Sequence, residues 1–347
     1  MKSSDSTPKV LFVGDSRQMK GGVNAVIQSI ERTPLWEKYR CGWLECQIND
    51  RITKKIVYLV RALCKSVFTI PRYDLIHFHT AVGNSLMVQL PFFLYARILR
   101  KKTILHLHVG DQLKKDRNNR LLRFYSKRAD CIITLGDSLR QYVPAPSEKV
   151  QFLYNPASEV RKKDAPKKYF LFAAFIDSER NKGYDVLLEA FSVVVRHHPE
   201  WKLVICGEGD MDQLHQLIRE YHVEDSVSTP GWVTGKEKDR IFSEAFAYCL
   251  SSRKEGLPVT ILESLSIGLP IIATPVGSLP EFLTEGESVL FAKIGDASDL
   301  AQQMCRLIED PNLYEKLSKG GTELIYSLLS LDRFTEKLDS IYSSLCD

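Results

Sequence analysis

The chain has 347 residues, of which 44% are hydrophobic and 26% charged, and its net charge is +4. This length is more than one ordinary hydrophobic core accommodates, so it predicts two domains. A charge of +4 on so long a chain is far below the density typical of nucleic-acid-binding proteins, and we expect no nucleic-acid partner. The eight cysteines form no CxxC pair, and several lie in apolar runs, as expected of reduced core residues in a cytoplasmic protein.

The sequence predicts a cytoplasmic protein that is at most peripheral on a membrane. Its first residues, MKSSDSTPK, lack the apolar core of a signal peptide, and no apolar run reaches the roughly 20 residues of a membrane span. Residues 97–128 contain eleven Lys and Arg but only two Asp. This basic segment is either a solvated helix face or a surface for anionic lipid headgroups or an anionic acceptor.

The first half alternates apolar strand-like runs with helical patterns, which is typical of a parallel sheet. The run VLFVG at 10–14 leads into a loop with Gly21 and Gly22 and then a helix, the opening of a doubly wound domain. The glycine pair could bring backbone N–H groups to a phosphate, although two glycines in a turn are common. Further strands are predicted at 73–79, 103–108, 130–135 and 150–154, and helices near 86–100 and 117–128.

Two of these strands end in histidine pairs, His77 with His79 and His106 with His108. A structural role is the commoner one for a histidine at such a position. A metal cluster is disfavoured, because strand alternation points His77 and His79 to one side and no acidic or cysteine partner has a suitable spacing. The loop HVGD combines His108 with Asp111, and His108 is the best functional candidate of the four.

The second half repeats the α/β pattern after a polar segment at 158–168, the predicted linker. Arg180 and Lys182 lie in a loop before a helix, where cations would face a phosphate together with the helix dipole. Gly207 follows an apolar strand in the turn GEGD. We therefore expect domains at 1–157 and 158–330, followed by an amphipathic helix at 331–347. Strands are predicted at 169–175, 201–206, 246–250, 269–274 and 288–292.

The stretch from 251 to 283 contains Glu255 and Glu263 with an apolar, helix-like run between them. Pro258 suits the first helical position, because its missing N–H would be unpaired there anyway. The N–H groups of Gly256 and Leu257 would then face an arriving anion at the positive end of the helix. This combination predicts a nucleotide diphosphate site.

Several strings now stand in a characteristic order: KGYDVLLEAF from Lys182, LVICGEG, GWV, SSRKEGLPVTILESLSIGLPIIATPVG, and Pro280 with Glu281. Looser matches in the first half are GGV, DLIHFH, HVGD and Asn155 with Pro156. Together they resemble the retaining GT-B glycosyltransferases of glycosyltransferase group 1, which include bacterial lipopolysaccharide and capsule enzymes and sucrose synthase.

The resemblance implies an α/β fold of two facing Rossmann-like domains with a cleft between them and a C-terminal helix that crosses back. It also implies a nucleotide-sugar donor, UDP more than GDP, a glycan or lipid-linked acceptor, and neither cofactor nor metal. By the same resemblance, Glu255 contacts the donor sugar, Gly256 and Leu257 hold phosphate, and Glu263 takes the ribose hydroxyls. The resemblance further implies donor-side residues Gly21, Gly22, Arg180, Lys182, Gly207 and Val233. The acceptor-side residues are His79, His108 and Asp111. The catalytic residues are Glu255, His108 and Lys182.

The chain departs from the family pattern at one position. The family places an arginine about five residues before the lysine, where this sequence has Phe175 or Asp177, and Arg180 is only two residues before Lys182. Arg180 is therefore the candidate second phosphate cation. Two alternatives to transfer in cell-surface polysaccharide biosynthesis remain open: a non-catalytic sugar-nucleotide-binding subunit of a polysaccharide assembly, and a sugar-nucleotide epimerase.

Overall fold

The computed structural model describes residues 7–19, 22–157, 159–161 and 163–346. The chain divides into two compact units, each α/β. Unit 1 comprises Met1–Pro156 with Leu331–Asp347, and unit 2 comprises Ala157–Ser330. Each unit contains a six-stranded sheet in which every described strand pairing is parallel.

The sheet of unit 1 has the strand order β2-β1-β3-β4-β5-β6. Its central strands are buried on both faces, as expected where helices cover a parallel sheet. The strands are β1 (Val10–Asp15), β2 (Gly42–Gln47), β3 (Leu75–Thr80), β4 (Lys102–Leu107), β5 (Cys131–Thr134) and β6 (Val150–Phe152), and the helices are α1 (Gly22–Ile30), α2 (Pro34–Lys38), α3 (Ile52–Thr69), α4 (Asn84–Ile98), α5 (Gln112–Asp116) and α6 (Arg120–Arg128).

The sheet of unit 2 has the order β12-β11-β10-β7-β8-β9, so that β10 lies directly beside β7. The strands are β7 (Tyr169–Ala173), β8 (Lys202–Cys206), β9 (Val227–Gly231), β10 (Ala247–Leu250), β11 (Ile271–Ala273) and β12 (Leu290–Phe291). The helices are α7 (Tyr184–His197), α8 (Met211–Glu220), α9 (Gly235–Glu244), α10 (Val259–Ser266), α11 (Leu279–Phe282), α12 (Ala297–Glu309) and α13 (Pro311–Leu324), which continues into a π-helical segment, Ile325–Leu329.

The last helix, α14 (Leu331–Cys346), returns to unit 1 and packs into its core. Phe334, Leu338 and Tyr342 are buried there together with residues of α1 and β1. At the helix surface Lys38 Nζ lies 2.6 Å from Asp339 Oδ1. The helix is amphipathic, and the apolar area that it buries against unit 1 stabilises it there.

The structure differs from the sequence predictions in several details, among them strand β9, which was not predicted. Strand β2 and helix α3 were not predicted. Pro258 was expected at the first helical position, but it caps α10, which begins at Val259, because its ψ of 124° is extended. The predicted linker is attached to unit 2 by backbone hydrogen bonds. Arg161 N donates to Ser266 O at 2.8 Å, and Lys167 N donates to Glu244 O at 2.8 Å.

Candidate functional site

Two loops of unit 2 meet at one edge of its sheet. Loop A, residues 174–183, follows β7, and loop B, residues 251–258, follows β10. Because β7 and β10 are parallel neighbours, their carboxyl ends lie side by side, which is where ligands bind in doubly wound sheets. The strand order thus brings together residues that are more than seventy positions apart in the sequence.

Lys182 of loop A forms an ion pair with Glu255 of loop B. Lys182 Nζ lies 2.7 Å from Glu255 Oε1, and Ser252 Oγ donates to the same oxygen at 2.7 Å. The Glu255 side chain is only 10% exposed, whereas that of Lys182 is 30% exposed. Within the described residues Glu255 Oε2 accepts no hydrogen bond. The pair can therefore offer further ammonium donors to an anion and a carboxylate acceptor to a hydroxyl.

The backbones of the two loops are in direct contact. Gly183 has a φ of +67°, and a Cβ there would lie 1.9 Å from Ser251 O. Only glycine allows this approach. Arg253 N donates to Asn181 O at 2.7 Å, and Ser251 Oγ donates to Lys182 O at 3.2 Å. The position of Lys182 relative to Glu255 is therefore fixed by main-chain contacts as well as by their charges.

Arg253 is a further connection between the loops that the sequence analysis missed. Its two terminal nitrogens donate to the two oxygens of Asp185, both at 2.8 Å, and Nη1 also donates to Arg180 O at 2.5 Å. Burial alone would raise the pKa of Asp185, but the hydrogen bonds and charge of Arg253 outweigh it and lower the pKa. This bidentate pair fixes the start of α7 against loop B.

A third loop supports loop B from the other neighbour of β10. Gly277, after β11, has a φ of +59°, and a Cβ there would lie 2.1 Å from Gly256 O and 2.9 Å from Glu255 O. Ser278 N donates to Gly256 O at 3.0 Å. The backbone of Glu255 and Gly256 is consequently enclosed between loop A and the loop that follows β11.

The start of α10 places Gly256 and Leu257 just before Pro258, the capping residue. Leu257 is buried, with 5% of its surface exposed. Below this turn, Tyr248 Oη donates to Ala173 O at 3.1 Å and lies 2.8 Å from Thr260 Oγ1. The first turn of α10 thus lies on the carboxyl ends of β7 and β10, beside the Lys182–Glu255 pair.

Glu263, on α10, has a cation partner that the sequence did not predict. Lys238 Nζ, on α9, donates to Glu263 Oε1 at 2.5 Å. Both residues line a pocket of about 460 Å³ together with Phe242 and Ile267. In the described part of the chain Glu263 Oε2 accepts no hydrogen bond, so one oxygen stays available for a hydroxyl.

The structure brings Lys182 to Glu255 but holds Arg180 differently. Arg180 Nε donates to Gln213 Oε1 of α8 at 3.2 Å, and the side chain lines a pocket of about 580 Å³ with Asp210 and Arg219. Its backbone φ is +56°, a conformation uncommon for a residue with a side chain. Arg180 as a second phosphate cation therefore remains a prediction.

Gly207 and Val233 have structural explanations of their own. A Cβ on Gly207 would lie 2.1 Å from Ala174 O, so the close approach of two strand ends already requires glycine. Gly207 N donates to Gly231 O at 2.9 Å. Val233 is buried just before α9, with 8% of its surface exposed. Contact of either residue with a nucleotide remains a prediction.

In unit 1, Gly22 is the first residue of α1, while Gly21 lies outside the described residues. The loop before them is held by Asn24, which is buried and donates through Nδ2 to Ser16 O at 2.6 Å and Met19 O at 2.7 Å. Asp111 lies at the start of α5, where its Oδ1 is 3.0 Å from Lys114 Nζ.

His77 and His79 of β3, His106 of β4 and His108, just after β4, form one cluster on a single face of the sheet. His79 lies opposite His106 in the strand register, and His79 Nδ1 is 2.8 Å from His108 Nε2. His77 Nδ1 is 2.7 Å from Tyr342 Oη of α14. Burial lowers the pKa of His77, His79 and His106 well below the usual value, and that of His108 to about 3. All four are therefore neutral near pH 7.

The sequence analysis considered a metal cluster among these histidines and disfavoured it, and the structure brings three of them close together. Ligand nitrogens of His77, His79 and His106 lie within 4.8 Å of one another. The rings, however, stack: His77 and His106 are 15° apart in plane with centroids at 5.4 Å. Nitrogens bound at about 2.0–2.1 Å around one zinc ion would converge on a point, so the geometry favours packed neutral imidazoles.

Comparison with known families identifies the second unit. Residues 156–324 match the model of the family Glycosyl transferases group 1, which spans nearly all of unit 2. Unit 2 is a glycosyl transferases group 1 domain. The family predicted from the motifs is thereby confirmed, and membership supports glycosyl transfer as the reaction.

Individual proteins similar to this chain include two bacterial enzymes. N-acetyl-alpha-D-glucosaminyl L-malate synthase of Bacillus anthracis is 23% identical over 287 residues, covering 78% of this chain and 74% of that protein. The lipopolysaccharide core biosynthesis glycosyltransferase LpsE of Rhizobium meliloti is 31% identical over 157 residues, covering 45% of this chain and 44% of the relative.

The fold is shared with solved structures. The crystal structure of Anabaena HepE in complex with UDP-glucose matches with a TM-score of 0.79 at 17% identity, covering 97% of this chain and 100% of that one. Together with the two parallel sheets, this likeness confirms the predicted GT-B fold class of two Rossmann-like α/β domains.

The group 1 domain contains Lys182, Glu255 and Glu263 together with Arg253 and Lys238, the two residues that sequence reasoning missed. Arg253 could have been found, since it lies inside the string SSRKEG, whereas nothing in the sequence pairs Lys238 with Glu263. The acceptor-side candidates His79, His108 and Asp111, and the donor-side candidate Gly22, belong to unit 1, outside the matched residues.

Proposed function

We propose that the chain is a retaining glycosyltransferase that moves a sugar from a UDP-sugar to a glycan or lipid-linked acceptor in cell-surface polysaccharide biosynthesis, at the cytoplasmic side of a membrane. The observation that carries the proposal is the Lys182–Glu255 ion pair, with a Nζ–Oε1 distance of 2.7 Å. A sugar diphosphate needs a cation at its phosphate and an acceptor at its sugar hydroxyls, and this pair supplies both side by side.

These contacts support the following roles within the group 1 domain. Lys182 binds the diphosphate, the amides of Gly256 and Leu257 add hydrogen bonds to it, and Glu255 accepts from a hydroxyl of the donor sugar. Glu263 accepts from the ribose through the oxygen that Lys238 does not occupy. Arg253, which contacts no substrate in this proposal, positions loop B.

In the transfer step the bond from the anomeric carbon to the phosphate oxygen breaks, and a bond to the acceptor oxygen forms on the same face. The acceptor proton passes to the departing phosphate oxygen, so the step needs no side-chain nucleophile. Lys182 and the amides before α10 offset the negative charge that develops on the diphosphate, and the step requires no metal. His108, neutral because burial lowers its pKa to about 3, can only donate or accept a hydrogen bond beside the acceptor.

The comparisons support the choice of substrate classes. The HepE structure contains UDP-glucose, and the Rhizobium relative is named as a lipopolysaccharide core biosynthesis glycosyltransferase. By the same reasoning, we propose a UDP-sugar as the donor of this chain and a lipid-linked glycan as its acceptor.

The proposal is tested by incubating the full chain with UDP-sugars and a membrane acceptor extract and assigning the product's anomeric configuration by NMR. We expect transfer with retention that is strongly reduced in Lys182→Met, Glu255→Gln and Glu263→Ala. Lys254→Met, which changes a neighbouring lysine outside the pair, should transfer normally. Undiminished transfer in all three variants would sink the residue assignment. Donor binding without transfer would support the non-catalytic subunit instead, and donor conversion without acceptor would support an epimerase.

A further inference from the structure

Exposed large apolar side chains are concentrated on two neighbouring helices of unit 1. Of fourteen such side chains in the described residues, nine lie on α3 and α4. Isolated exposed apolar residues are ordinary, whereas a contiguous patch marks an interaction surface. The six on α3 are Ile52, Ile56, Val57, Val60, Val67 and Phe68.

These six residues do not lie on the side of α3 that faces the core. Ala62 and Ser66 are the buried residues of α3 and face the sheet. Ile56, Val60 and Val67 are separated by four and seven positions, which aligns them on one stripe away from that face. Phe68, which is 72% exposed, extends the adjoining stripe. The helix therefore has two apolar faces, one inside unit 1 and one in contact with solvent.

Helix α4 continues the same surface. Met87, Leu94 and Ile98 are exposed and lie seven and four positions apart, again on one stripe. Tyr95 Oη donates to Val67 O at 3.1 Å, so the two helices are held side by side. We refer to the exposed apolar residues of α3 and α4 together as the α3–α4 surface.

The charges beside this surface are positive. Helix α3 contains four Lys and Arg and no acidic residue. Lys54, Arg61 and Lys65 share one stripe, since they are seven and four positions apart. Lys54 pairs with Asp50, while Arg61 and Lys65 take part in no ion pair among the described residues. An apolar stripe flanked by Lys and Arg is the pattern of helices that lie in the interface of an anionic bilayer.

We propose that the α3–α4 surface docks on a membrane containing anionic phospholipids, with α3 lying parallel to the membrane plane. Anionic headgroups complement Arg61 and Lys65, and acyl chains cover the apolar stripes. A second copy of the chain fits less well, because a symmetric pairing would set the cations of one α3 against those of the other. No helix among the described residues is long and apolar enough to cross a bilayer.

This inference places the membrane contact on α3 and α4 rather than on α5 and α6, so that Ile98 is the only one of residues 97–128 on the α3–α4 surface. Helices α5 and α6, which carry most of those cations, have no exposed large apolar side chain. Arg97 is paired with Asp130 at 2.7 Å and Lys114 with Asp111 at 3.0 Å. The inference rests on the proposed function in one respect, because it names the surface at which the enzyme would encounter a lipid-linked acceptor in the membrane. Its test needs no donor or acceptor, so either can fail without the other.

The test is co-sedimentation of the full chain with vesicles of phosphatidylcholine alone and of an equal mixture of phosphatidylcholine and phosphatidylglycerol. We expect binding to the anionic vesicles that weakens, but persists, at high salt. Removing the apolar stripe in Ile56→Ser/Val60→Ser/Phe68→Ser should reduce binding about tenfold or more. Arg61→Ala/Lys65→Ala should reduce it roughly fivefold for each cation removed.

Two control variants separate this proposal from its rivals. Ile294→Ser/Tyr326→Ser removes exposed apolar side chains of unit 2 and should bind as the unaltered chain does, as should Arg120→Ala/Arg123→Ala on α6. All substituted side chains are exposed, so each variant should fold as the unaltered chain does. Circular dichroism checks this. The proposal is overturned if the unaltered chain ignores anionic vesicles, if the α3 apolar variant binds normally, or if that variant turns a dimer into a monomer without changing vesicle binding.

Discussion

Lys182 Nζ lies 2.7 Å from Glu255 Oε1, although 73 positions separate the two residues in the chain. The contact exists because β10 is the neighbour of β7, and because Gly183 lets the backbone of loop A approach Ser251 O. It joins a cation and an acceptor at a strand edge, which is the arrangement that a sugar diphosphate requires. The account of the donor site depends on this pair.

The two members of the pair should affect binding differently. Lys182→Met removes a charged hydrogen bond to phosphate and should weaken binding of UDP about 10- to 100-fold. Glu255→Gln should leave UDP binding within a few-fold, because UDP has no sugar for it to contact, while transfer from a UDP-sugar falls. Calorimetric titration with UDP measures the change in affinity, and the rate of transfer from a UDP-sugar measures the change in activity. Equal losses of UDP affinity in the two variants would show that Glu255 acts only by holding Lys182.

Arg253 should act through position rather than through contact with substrate. Arg253→Lys keeps the charge but loses the bidentate geometry toward Asp185, so we expect the free energy of unfolding to fall by about 1–3 kcal/mol. Donor affinity should fall as well, because loop B loses its attachment to α7. Arg240→Lys, at a pair with Glu244 in which the Arg240 side chain is 58% exposed, is the matched control and should change stability by less than about 1 kcal/mol. Similar behaviour of the two variants in urea denaturation would contradict the positioning role.

Gly277 should be sensitive to a single methyl group. Gly277→Ala combines an unfavourable φ with a Cβ 2.1 Å from Gly256 O, so it should displace loop B and lower both stability and donor affinity. Gly286→Ala has a similar φ, +70°, but its Cβ would meet no atom within 4 Å. It should therefore cost about 1 kcal/mol of stability and leave donor affinity unchanged. Thermal unfolding and UDP titration of the two variants separate strain from steric displacement, and equal donor affinities would argue against the support of loop B by Gly277.

The histidine cluster should make unit 1 sensitive to acid. Because burial lowers the pKa of all four histidines, that of His108 to about 3, there is a pH window below about 6.5 in which the unfolded chain binds protons that the folded chain does not. The free energy of unfolding should thus fall with decreasing pH in this window, by about 1.4 kcal/mol per pH unit for each histidine involved.

The matched variant for this prediction is His106→Leu. Both ring nitrogens of His106 are buried without a hydrogen-bond partner among the described residues, so leucine should be tolerated at neutral pH. It should reduce the slope of stability against pH below pH 6.5. An unchanged slope in denaturant titrations across this range would show that the cluster is protonated in the folded state.

Much of the fold could be predicted because apolar runs and turn residues identify strands that are buried on both faces. Strand β2 and helix α3 were missed for physical reasons. Glu45 in β2 interrupts an apolar run, and its charge is met by Arg17 at 3.0 Å and by Tyr58. Helix α3 has apolar residues on its solvent side, so it does not show the single stripe by which a core-facing helix is recognised.

The candidate site divides in the same way. Glu255 and Lys182 could be selected from local context, since each belongs to a loop at the carboxyl end of a strand. The Lys238–Glu263 pair and the attachment of Arg253 to Asp185 depend on the order of strands and on the packing of helices, which no local pattern contains. The burial of His77 likewise depends on the return of α14, because Tyr342 Oη lies 2.7 Å from His77 Nδ1.

The central claim is that the group 1 domain binds a nucleotide sugar through Lys182 and Glu255. A thermal-shift panel of the full chain with UDP, GDP, ADP, CMP and their common sugars tests it most directly, because a ligand that binds only the folded state raises the unfolding temperature. We expect stabilisation by UDP and a UDP-sugar, lost in Lys182→Met and retained in Lys254→Met. No stabilisation by any nucleotide, or equal stabilisation of both lysine variants, would contradict the account.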